Sequence, residues 1–158
     1  MTGAGHNLLA MPDTLTAPAP LPITASRLGH LGLVPFVLGA VLVWLVNEAA
    51  HPYVTLALSA YAALIVALLG GVHWGLALRL PDPPPALFGW GLGAVSLAWV
   101  AVMMPASSGL VLDGVLLVAG YLVDRKVYPA QGLARWLTLR FRLSAVAALC
   151  CFLGAAGT

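Results

Sequence analysis

Residues 54–80 read VTLALSAYAALIVALLGGVHWGLALRL, and this stretch decides what kind of molecule the chain is. Apart from His73 and the terminal Arg79, it offers no side chain that is charged or titrates near neutral pH. About 20 predominantly apolar residues in a helix cross the hydrocarbon core of a bilayer. This run is longer, so it has length to tilt or to protrude. A strand of a membrane barrel would alternate apolar and polar residues. Here the apolar character runs all round, which lipid allows only to a helix, whose backbone donors and acceptors pair within the segment.

The rest of the chain repeats the pattern. Of its 158 residues, 61% are hydrophobic and 8% charged, against roughly 25% charged in soluble domains. Further apolar runs cover about residues 30–47, 86–104, 108–123 and 143–156. The predicted fold is therefore all-α: an integral membrane bundle of about five helices over residues 27–158. The last run, at 1.5 Å per residue, reaches only ~21 Å. Snorkelling of Arg140 and Arg142 would lengthen it; a half-inserted or interfacial helix is the alternative. Pro52, the PDPPP run at 81–85 and Pro105 separate the spans. Pro35 falls in the first turns of its span, where a missing N–H costs little. Residues 1–26, with Pro12, Pro18, Pro20 and Pro22, read as a disordered tail outside the bundle. No Lys or Arg precedes Arg27, so no secretory leader is expected.

The cationic residues are sided. Arg27 precedes the first span, Arg79 ends the second, and Arg125, Lys126, Arg135, Arg140 and Arg142 lie between the fourth and fifth. With five crossings, all of them share the side of the N-terminus. Cytoplasmic loops retain Lys and Arg, so the N-terminus is expected in the cytoplasm and the C-terminus outside. Trp74, Trp90 and Trp136 then fall near the inner interface and Trp44 near the outer one, the depth amphipathic rings prefer.

Lipid tails remove the usual hydrophobic drive for helix association, so small residues mark the surfaces where backbones approach. Ser59, Ala63, Ala67, Gly71 and Gly75 recur every fourth residue, and Gly89 and Gly93 repeat that spacing in the third span. These are the predicted packing surfaces. His73 lies on another face, with Val66, Gly70 and Ala77, also a close-packed strip. A neutral imidazole bonded to a neighbouring helix is the plain reading of His73. A haem or metal ligand paired with His30, and a proton relay, are the alternatives.

Asp113 and Asp124 share one face of the fourth span with Leu117 and Gly120, about 16 Å apart along the axis. An Asp at the centre of a span costs about 2.5–3.5 kcal/mol on the insertion scale, and such residues usually face a bundle interior or a wet cavity. Asp113 and His73, with Glu48 and His51 at the outer mouth, could bracket a proton or solute path. Asp124 is expected to pair structurally with Arg125, Arg140 or Arg142, and the basic loop around it to meet anionic lipid headgroups.

No hydrolase elbow, phosphate loop, zincin pair or dinucleotide fingerprint occurs. No catalytic residue, metal site or cofactor is predicted, and no basic patch outside the membrane-proximal loop suggests nucleic acid. Cys150 and Cys151 read as small apolar packing residues.

Three blocks, YAALIVALLGGVHWGLAL (61–78), GYLVDRKV (120–127) and WLTLRFRLSAV (136–146), resemble the family catalogued as domain of unknown function 3429, over about residues 28–154. The resemblance implies a small multi-span protein of bacterial inner or mitochondrial membranes with no established activity. It also implies that Arg can stand at the position of His73, which fits a cationic or hydrogen-bonding role better than metal ligation. The expectation is a non-catalytic accessory or assembly component of a bacterial inner membrane, with lipids and a membrane-protein partner or a second copy as its contacts. A small-solute or proton permease and a haem or pigment carrier are the alternatives.

Overall fold

A computed structural model describes residues 23–158. The helices are α1 (Ile23–Leu31), α2 (Val34–Leu45), α3 (His51–Ala77), α4 (Pro85–Met103), α5 (Ala106–Ala130) and α6 (Leu137–Ala156), with a 3-10 turn at Ala134–Trp136 before α6. No strand occurs among the described residues. Five stretches are long and apolar enough to cross a bilayer: Ile23–Leu45, His51–Ala77, Pro85–Met103, Ala106–Ala130 and Ala134–Ala156. The all-helical, five-span architecture is as the sequence predicts.

The boundaries differ where polar residues are drawn into helix. The expected tail lies outside the described residues as far as residue 22, but residues 23–26 already belong to α1. The first span is two helices, because Pro35 lacks the N–H that would continue the ladder. Tyr61 Oη donates to the Gly32 carbonyl at this break, at 2.8 Å, and the Tyr61 ring meets buried Phe36 edge-on. The final helix is longer than its apolar run: α6 has 20 residues, about 30 Å, enough for a full span. It begins before Arg140 and Arg142, and Arg140 is buried.

The bundle is sorted as lipid demands. Ala62, Ala63, Ala94, Ala98, Ala101, Ala147 and Ala148 are buried, whereas Leu64, Leu68, Leu92, Trp99, Leu122 and Leu149 face outward. Large apolar side chains gain little by leaving lipid, so much of the interior goes to residues that let helices approach. Phe36, Leu58, Leu110 and Leu117 fill the space between them. α3 is central, packing against α2, α4, α5 and α6. Its approach to α4 runs through Gly70 and Gly91: a Cβ on Gly70 would sit 2.9 Å from the Gly91 carbonyl oxygen, and one on Gly91 would collide with Trp74.

This corrects the expected packing surface. Ser59 and Ala63 are buried, and Ser59 Oγ would lie 2.8 Å from a Cβ on Gly109 of α5. Ala67 is only half-buried. Gly71, Gly75, Gly89 and Gly93 touch nothing within 4 Å of where a Cβ would stand. At about 100° per residue, the i+4 row drifts off the interior as it descends α3. The strip Val66, Gly70, His73, Ala77 takes over, and all four of its residues are buried.

α5 ends in a glycine cap. Gly132 adopts φ +70°, the Leu133 N–H donates to the Tyr128 carbonyl at 2.8 Å and the Gly132 N–H to that of Pro129 at 3.2 Å. This is the double bond of a Schellman end. It turns the chain so that α6 returns alongside α5.

Candidate functional site

Three helices bring ionisable side chains to one buried point. α5 presents Asp113, Leu117, Gly120 and Asp124 inward on a single face, all buried, as their spacing predicts. α3 supplies His73 from the strip that touches α4. α6 supplies Arg140 and, one turn on, Ser144.

Asp124, 1% exposed, is the hub. Its Oδ2 accepts from Arg140 Nε, and its Oδ1 lies 3.1 Å from His73 Nε2. That second contact has the distance of an ion pair without the alignment of a hydrogen bond, and neither atom has another partner. Arg140 Nη1 donates to Ser144 Oγ at 2.7 Å. His73 Nδ1 lies 3.2 Å from the Leu69 carbonyl oxygen, and the Trp90 ring stands edge-on to the imidazole. Asp124 thus ties α3, α5 and α6 together.

A carbonyl and an ionised carboxylate only accept hydrogen bonds, and the two His73 nitrogens face one of each, the Leu69 carbonyl oxygen and Asp124 Oδ1. The site therefore gathers buried charged and polar groups from three helices. A cavity of about 10 Å³ adjoins it, lined by His73, Trp90, Gly120 and Arg140 among others, which is room for about one water.

Asp113 is fully buried and both its carboxyl oxygens lack a hydrogen-bond partner. It lies some three turns of α5 from the cluster, with buried Leu117 on the face between. The structure therefore does not join Asp113 to His73. Glu48 is exposed in the loop before α3, and His51 is engaged with the Gly157 carbonyl oxygen at 2.9 Å. His30 and His73 are not brought together either: His30 is exposed on α1, its Nδ1 2.7 Å from the Ser26 carbonyl oxygen. Of the three arginines expected near Asp124, Arg140 makes the pair, while Arg125 and Arg142 point outward. Cys150 and Cys151 are free and buried.

The His73–Asp124 contact and Ser144 were not singled out from the sequence. The usable signals were the common depth of His73 and Asp124 near the cationic side, and the four-residue step from Arg140 to Ser144.

A protein-family profile described as "Protein of unknown function (DUF3429)" matches residues 21–156. The chain belongs to this family. All members of the buried cluster fall inside the matched region. Transmembrane protein 69 of Xenopus tropicalis is 36% identical over 103 residues, which is 62% of this chain and 40% of that relative. The chain thus spans about two fifths of the relative's length. No solved structure matches.

Proposed function

We propose that this DUF3429 protein is a non-catalytic membrane component that works by associating with another membrane helix, as an accessory or assembly factor. The observation that carries this reading is the glycine face left uncovered on α3 and α4. Gly71, Gly75, Gly89 and Gly93 meet nothing within 4 Å, whereas Gly70, Gly91, Gly109, Gly114 and Gly154 are closed over by neighbouring helices. Uncovered glycines of this kind suit backbone-to-backbone docking in lipid. The sided cationic residues favour a cytoplasmic N-terminus, and a bacterial inner membrane is the setting this reading assumes.

Gentle extraction followed by native mass spectrometry tests it. Species larger than one 16.3 kDa chain are expected, and Gly71→Leu with Gly75→Leu should dissolve them while helix content is retained. A wild-type chain that leaves the membrane only as a monomer, with nothing attached, would sink the proposal.

A proton permease is the second reading, favoured by Asp113, since an unpartnered carboxyl inside a span more often marks a pathway than a strut. Reconstituted Asp113→Val should then lose proton flux; flux equal to wild type removes this reading.

A further inference from the structure

Two adjoining cavities open beside the cluster, on a surface that includes none of the four uncovered glycines. The larger, about 480 Å³, lies between α1, α5 and the start of α6 and reaches Arg135, Trp136, Tyr128 and Arg140. The smaller, about 220 Å³, continues deeper between α2, α3 and α6, past Phe36, Leu68 and Ala147. They share Gly29, Arg140 and Leu143. From Trp136 to Ala147 the groove follows α6 for roughly 16 Å, about the depth of one leaflet's hydrocarbon.

Its lining is graded. The deep part is aliphatic and aromatic apart from Ser144 and the shared Arg140. The mouth carries the exposed Arg135, its guanidinium 5.8 Å from the Trp136 ring centroid, and the buried Tyr128 lines the same cavity. No Asp or Glu lines either cavity, and the nearest acid, Asp124, is already held by Arg140 and His73. A cationic, hydrogen-bonding mouth above an apolar slot complements a negatively charged headgroup above an acyl chain. Basic pockets between membrane helices take such headgroups, and arginine grips phosphate oxygens in a planar fork.

We infer that this groove is a binding site for one anionic phospholipid, its phosphate at Arg135 and an acyl chain running along α6 past Leu139 and Leu143. The headgroup selects and the slot positions. Gly29 permits the close passage of α1 over α6, since a Cβ there would already stand 3.0 Å from Leu143 Cδ1.

Native mass spectrometry of the full chain, released from nanodiscs of phosphatidylglycerol and phosphatidylcholine in equal amounts, tests this. One retained lipid is expected, with phosphatidylglycerol enriched at least tenfold over phosphatidylcholine. Arg135→Gln should abolish the enrichment, Arg135→Lys should keep most of it, and Leu139→Trp should displace the lipid altogether. Arg125→Gln, in the same basic region but outside the groove, should leave retention unchanged. Lipid retained in the nanodisc's own ratio, equal loss in Arg125→Gln, or a protein helix in place of lipid would each overturn the inference.

Discussion

Asp113 and Asp124 stand on the same face of the same helix, both shut away from solvent, and they differ in one respect. Asp124 has an arginine and a histidine against its two oxygens, with a serine steadying the arginine. Asp113 has nothing. Burial by itself therefore says little about what an intramembrane acid does. Company decides whether it braces the bundle or strains it.

The sharpest way to break this contrast is Asp124→Ala. It leaves Arg140 and His73 buried without their counter-charge, and removing one partner of a buried ion pair costs about 3–5 kcal/mol. A correspondingly large loss of stability in denaturant titration in detergent is expected; a loss below about 1 kcal/mol would mean the cluster carries no load. Asp113→Val should move stability the other way, by about 1–3 kcal/mol, since it deletes an unsatisfied polar group without breaking a bond. Destabilisation would instead reveal a partner for Asp113. A smaller effect separates the two faces of α3. Gly70→Ala forces a methyl against Gly91 and should cost at least ~1 kcal/mol, whereas Gly71→Ala, facing open space, should be within about 0.5 kcal/mol of neutral. Equal costs would erase the distinction between the inner and outer glycines.

The number of spans and their separators were legible because lipid imposes long apolar runs and proline punctuates them. Which glycines face inward was not. Gly70 and Gly71 are neighbours in the chain yet about 100° apart on the helix, and both rows are rich in small residues. His73 was the tell, because a polar ring in a membrane turns inward, and Gly70 rather than Gly71 shares its strip. The full length of α6 was hidden for a related reason. Arg140 reads as the end of an apolar segment until an acid sixteen residues earlier neutralises it, and such a partner belongs to tertiary structure. The choice of Arg140 over Arg125 and Arg142 was open for the same reason: adjacency in sequence does not say which guanidinium turns toward the carboxyl.

The glycine cap at residue 132 bears on how the protein is made. An arginine entering lipid on α6 finds its acid only on the helix synthesised just before it, and the tight reversal at Gly132 sets the two side by side. α5 and α6 are thus best delivered to the bilayer as a folded hairpin, its buried charges already paired near the closed end. A nascent chain paused between them would hold a buried carboxylate waiting for its arginine.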